Sequence, residues 1–350
     1  VSRLALGALL ALILLNAPCA RAGSADCAES SLGERCRAAE AIALATLAPA
    51  GERVRVTPVR WLRGAQAGPL LALGEASVSG EARALVFLAH EDGSWHLLEA
   101  LPLATPEQAK LLAAAVEARL SKGDLFPQLL SPLPRVRRDA ALDLLELEAR
   151  PSAAQRELLA RALREQPTLE LLDLVARLAS PELFAPLREL LAQIEHPVPQ
   201  AAAARALAAC DRARALELFA TELRRDPVER ARLLGFLGGA EAGERLSRAL
   251  ATAEQPLARQ AILLALFDAR RCRAELLVEL ATSPRAPGEE RLALAVLARC
   301  GEGRALRQLQ GDLSDPAARD LARALRRDPV VLPRRLLAPA LDALLHAPRR

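Results

Sequence analysis

Residues able to do chemistry are few and scattered in this 350-residue chain. The four histidines, His90, His96, His196 and His346, fall in no His-x-x-x-His or Glu-x-x-His pattern, the spacings that put two metal ligands on one helical face. They read as exposed or turn residues. No Gly-x-Ser-x-Gly, phosphate-binding loop or Cys-x-x-Cys occurs, so nucleophilic, phosphate and redox chemistry has no foothold. Carboxylate pairs such as Glu289-Glu290 stand in expected turns. General acid–base work needs two carboxyls in a shared cleft with separated pKa values, so solvated turn residues are the preferred reading. No catalytic residue, metal or cofactor is expected, and the chain reads as a non-enzyme.

The elements around these residues are built mostly from small and aliphatic side chains. Hydrophobic residues make up 52% and aromatics only 2%, so the apolar mass is Ala, Leu and Val, which favours closely packed helices. Of 47 basic residues only Lys110 and Lys122 are lysines, a coding bias of a GC-rich genome, and Val1 reads as a translated alternative start. A net charge of +4, with Arg interspersed with Glu and Asp at helical spacing, indicates solvated faces and no nucleic-acid partner. Both tryptophans, Trp61 and Trp95, lie far from the arginine-rich helices, where base stacking would need them.

Residues 1–22 read as a signal peptide. Arg3 precedes an apolar run from Leu4 to Leu15, too short to span a bilayer, and Ala20-Arg21-Ala22 suits cleavage after Ala22. Lipidation at Cys19 would need a lipobox that Pro18 fits poorly. The chain is therefore expected to be exported, to the periplasm or outside a bacterial envelope, with no stable membrane span after cleavage. Five cysteines then remain, in an oxidising compartment. Cys27 and Cys36 could close a small loop as a disulfide.

Residues 23–104 form the expected β domain. Ala41–Leu47, Arg53–Leu62, Leu70–Leu73, Ala84–Leu88 and Trp95–Leu98 read as short strands, and Glu91-Asp92-Gly93-Ser94 supplies a hairpin turn. Five such strands suggest a small barrel. Across about residues 27–100, SSLGERCRAAEA, AIALATL, RVRVTPVRWLRG and ARALVFL resemble the netrin/TIMP-like OB barrels of exported bacterial proteins. That resemblance implies an OB-like barrel. In inhibitory members a terminal cysteine chelates a protease metal, but Cys27 would not be terminal after cleavage at Ala22 and no Cys-x-Cys follows.

Thr105-Pro106-Glu107-Gln108 opens a connecting helix over residues 105–123. Beyond it, Pro167, Pro197, Pro227, Pro256, Pro287 and Pro316 recur at spacings of 30, 30, 29, 31 and 29, a repeat signature. In Asp226-Pro227-Val228-Glu229 the aspartate can cap a helix that the proline begins. Ten residues after a proline stand Leu144 (from Pro134), Leu207, Leu237, Leu266 and Leu297, expected on the buried face. Mid-period breaks such as Pro151, Pro181 and Pro329 make each unit a helix pair, which needs stacked neighbours to bury its apolar stripe.

The segments PRVRRDAALDLL, DPVERARLLGFL, QPLARQAILLAL and DPAARDLARALR resemble HEAT-like repeats of the phycobilisome-lyase type, whose pattern is roughly DPxVRxxAAxAL. The resemblance implies an α–α superhelical solenoid over residues 124–350. It also implies that Asp226, Asp315, Arg137, Arg230, Arg259 and Arg319 link adjacent turns. The units at Pro167, Pro197 and Pro287 carry Glu170, Gln200 and Glu290 instead of Arg, where looser turns or a changed surface are expected. Cys210 and Cys300 hold equivalent places three repeats apart, too distant to bond, whereas Cys272 and Cys300 belong to neighbouring units and could pair.

The fold class expected is thus mainly α, a solenoid preceded by a small all-β barrel. The function expected is a non-enzymatic scaffold binding a protein partner. A prosthetic-group lyase or chaperone, and an inhibitor built on the barrel, are the alternatives that the two resemblances imply.

Overall fold

The computed structural model describes residues 30–64, 68–74, 81–223, 226–269, 274–285, 289–301 and 305. The signal segment, Cys27, Cys272, His346, Asp315 and Arg319 lie outside the described residues. Among those described, thirteen α-helices follow or flank a five-stranded β-barrel. The described residues fall into two compact units, one of residues up to 178 together with 185–196, the other of residues 179–184 together with those from 197 onward.

In the first unit, helix α1 (Leu32–Ala38) leads into strands β1 (Ala41–Ala50), β2 (Arg53–Arg63), β3 (Leu70–Leu73), β4 (Ala82–Glu91) and β5 (Ser94–Pro102). They close in the order β1-β2-β3-β5-β4, with β3 and β5 parallel and the other pairs antiparallel. The β4–β5 turn places Asp92 at φ 51° and Gly93 at φ 76°, the positive angles that let a two-residue turn match strand twist. Small inward residues, Ala43, Ala45 and Ala72, leave room for Leu47, Val54, Val56, Val86 and Leu88 within so narrow a barrel. Residues Ala84 to Ala89 are buried without alternation, because β4 also carries a helical layer on its outer face. That outer cluster joins Leu32 and Cys36 of α1 with Ile42, Leu85, Phe87 and Leu101 of the barrel, and with Leu112, Val116 and Val136.

Helix α2 (Pro106–Leu120) starts where its cap predicts, with the Thr105 hydroxyl accepting the Gln108 amide at 3.2 Å. A 3-10 turn, Phe126–Leu130, follows, then α3 (Pro134–Glu146), α4 (Ala153–Glu165), α5 (Leu169–Leu178) and α6 (Phe184–Leu191). Helix α3 packs on α5, and a full capping box between Ser152 and Gln155 starts α4.

The second unit contains the 3-10 turn Pro181–Leu183 and helices α7 (Pro197–Cys210), α8 (Arg212–Glu222), α9 (Pro227–Leu237), α10 (Gly239–Thr252), α11 (Pro256–Ala269), α12 (Ala274–Thr282) and α13 (Glu289–Arg299). Helices α7, α9 and α11 open on the register prolines, and α13 two residues after Pro287. Contacts run from α7 to α9, α9 to α11 and α11 to α13, one layer, while α8 and α10 touch each other behind it. The tightest approach is at Gly235, where a Cβ would lie 2.8 Å from the Ala265 carbonyl oxygen. The absent side chain lets α9 and α11 meet backbone to backbone. Among the described residues no helix is long and apolar enough to cross a membrane.

Candidate functional site

Among the described residues, buried polar side chains form two contact networks; the aspartates of the first were not singled out in the sequence, whereas Gln200, Arg259 and Glu289 of the second were. In the first unit, the opening turn of α1 sits on Asp139 and Asp143 of α3. The Ser31 hydroxyl donates to Asp143 Oδ1 at 2.8 Å, and the Leu32 amide donates to Asp139 Oδ2 at 3.2 Å. Gly33 fits only because it has no side chain, since a Cβ would lie 2.1 Å from Asp143 Oδ1.

Asp143 is neutralised by Arg119 of α2, whose Nε and Nη2 each stand 2.7 Å from Oδ2. Arg119 Nη1 also donates to the Ala115 carbonyl and to Gln128. Asp139 is served less well. Its cation is Arg135, 3.4 Å away, and Arg135 is also held at 2.9 Å by Glu99, which in turn pairs with Arg35 at 3.1 Å. Burial pushes the Asp139 carboxyl up to about 6, against the opposing pull of Arg135, Arg138, the Leu32 amide and Arg119.

These aspartates had a legible sign. Val136, Asp139, Ala140, Asp143 and Leu144 follow the i, i+3, i+4 spacing of one helical stripe, so both acids fall inside the apolar face of α3. A charge in that position must be buried and needs a partner.

In the second unit, polar side chains cross between neighbouring units at fixed offsets. Gln200, three residues after Pro197, donates to Glu229, two residues after Pro227, and accepts from Arg232. Arg259, three after Pro256, pairs with Glu289, two after Pro287. Glu289 also accepts the Arg285 amide at 2.7 Å. Glu289 is therefore buried, and its reading as a solvated turn residue is corrected, while Glu290 beside it is exposed. Gln200 is likewise buried at a junction, and the looser turn expected there is a packed polar contact. Glu170 is half-buried, 3.6 Å from Arg138 in the first unit.

The arginines three residues after a proline reach backwards. Arg137 Nη1 donates to the Ser131 carbonyl at 2.7 Å and Arg259 Nη1 to the Ala253 carbonyl at 2.8 Å, each acceptor six residues earlier. Arg230 pairs with Glu222 of the preceding helix at 2.9 Å. Such contacts put a cation at the carbonyl end of the previous segment. Asp226 Oδ1 accepts the Glu229 amide at 3.1 Å, a helix cap. Leu144, Leu207, Leu266 and Leu297 are buried, but Leu237 is half-buried because α9 ends on it, at Gly238.

Cys36 and Cys210 are buried thiols, both pushed up to about 11 by burial. Pairing of Cys36 with Cys27 involves a residue outside those described. His90 meets the Trp95 ring edge-on at 4.9 Å, and His196 is exposed. Among the described residues, no three His, Cys, Asp or Glu side chains are grouped to hold a metal ion.

Among the described residues, an apolar feature recurs on the surface. Val198, Val228 and Leu257, each directly after a register proline, are 55%, 52% and 73% exposed. They stand at the starts of α7, α9 and α11, three helices of one layer. Comparison with protein-family models and with curated proteins finds no match to the chain.

Proposed function

We propose that the chain is an exported, non-enzymatic scaffold that binds a protein partner through a HEAT-like solenoid of helix pairs beginning near Asp124, with an OB-like, netrin/TIMP-related barrel at its amino end. The observation that carries the reading is the row Val198, Val228 and Leu257. Three units in succession spend an exposed aliphatic at the same register position, where a polar residue would satisfy solubility equally well. The buried polar contacts at the same helix starts favour a repeat array, since they hold successive units in phase. The barrel order, with β3 and β5 parallel, favours the OB-like reading.

The test is affinity capture from an envelope fraction with the full chain and with a Val198→Ser, Val228→Ser, Leu257→Ser variant. A partner retained by the former and lost by the latter is the expected result. Recovery of nothing above background, or of one partner equally by both, sinks the proposal.

A further inference from the structure

The seat of α1 on α3 is unevenly charged. Asp143 has the Nε and Nη2 contacts of Arg119 and the Ser31 hydroxyl. Asp139, 1% exposed, has a single amide and a guanidinium that Glu99 holds more closely. The groups acting on it are the Leu32 N–H from α1, Arg135 and Arg138 from its own helix, and Arg119 from α2, while Arg35 and Glu34 of α1, Asp143 of α3 and Glu99 of β5 make the surrounding contacts. Arg35 and Arg135 are committed to Glu99, Glu34 to the Ser31 amide, and Arg119 to Asp143. A carboxylate left in this position carries its burial cost without a full counter-charge.

We infer that the first turn of α1 is an acid-tightened latch: seating Ser31, Leu32 and Gly33 on α3 takes up one solvent proton at Asp139, so α1 is held more firmly in mild acid than at neutral pH. The step is a protonation, with no covalent bond formed beyond O–H. Lifting α1 returns Asp139 to water, where its ordinary value of 3.8 applies, whereas seated it titrates at about 6. A docked state that binds protons more tightly gains on acidification, and the gain is lost as pH rises through about 6. Of the neighbouring carboxylates, Asp143 pairs with Arg119, Glu99 with Arg35 and Arg135, and Glu34 accepts the Ser31 amide.

Hydrogen exchange of the Leu32 amide in the full chain, corrected for its intrinsic rate, reads the latch directly. Its protection is expected to be about tenfold lower at about pH 7.5 than at about pH 5, given the two titration points. The Asp139→Asn variant should abolish the difference. Equal protection at both pH values, a slope surviving in Asp139→Asn, or Leu32 exchanging only at the rate of the barrel-core amide of Val86 overturns the inference. Should Asp139→Asn fail to fold, carboxyl titration in the unaltered chain with labelled aspartate decides. A midpoint near 6 sustains the latch, and one near the ordinary value removes it.

Discussion

Arg119 and Asp143, 24 residues apart on α2 and α3, form a forked ion pair with side chains only 3% and 4% exposed. The pair ties the connecting helix to the helix that receives α1. Removing one partner strands a buried charge, so Arg119→Ala or Asp143→Ala should each lower stability by about 3–5 kcal/mol. Urea unfolding measures it, and the double variant should lose clearly less than the sum of the two.

The Arg259–Glu289 contact predicts a different asymmetry. Arg259→Ala removes the Arg259 guanidinium from Glu289, whose side chain is 0% exposed, and should also cost about 3–5 kcal/mol. Replacing both, as Arg259→Met with Glu289→Gln, should recover most of that loss, since buried pairs are often exchangeable for neutral groups of similar volume. Thermal unfolding of the three proteins ranks them. Equal losses in the single and double variants would show that the charges matter little.

Gly235→Ala tests the close approach of α9 and α11. The added methyl meets the Ala265 backbone at 2.8 and 2.9 Å, where only helix movement can make room. A loss of about 1–3 kcal/mol is expected from overpacking, despite the gain in helix propensity that alanine normally brings. A melting temperature at or above the parent's would contradict it.

Cys36 and Cys210 should be inert in the folded protein. With both thiols pushed up to about 11, roughly a thousandth is thiolate at about pH 8, and burial blocks access as well. An alkylating reagent at that pH should label them only after denaturant is added. Peptide mapping after a timed pulse checks each cysteine separately.

The strands and the connecting helix were legible because their signals are local. Alternation gave the β2 run from Arg53 to Val56, Asp92-Gly93 gave a turn, and Thr105-Pro106 gave a helix start. The proline register marked where α7, α9 and α11 begin. Burial of particular polar groups was less legible, since Glu289 looks like any turn carboxylate until Arg259 arrives from thirty residues away. Asp139 and Asp143 could have been found from the apolar stripe they interrupt. Their partners could not, because Ser31 and Leu32 lie more than a hundred residues distant. Leu237 shows the limit of a fixed offset, since α9 is shorter than α7 or α11 and stops on the residue that the register assigns to the core.

The polar contacts between units restrict how the gene can change in length. Gln200 and Arg259 stand three residues inside their helices, and Glu229 and Glu289 two residues after the next proline. An inserted residue between proline and partner would swing that partner about 100° around its helix, out of reach. The spacings of 29, 30 and 31 show that the distance from one proline to the next is itself not fixed. Growth or shrinkage of this region should therefore occur in whole helix pairs or in loops, and seldom within the few residues that follow each proline.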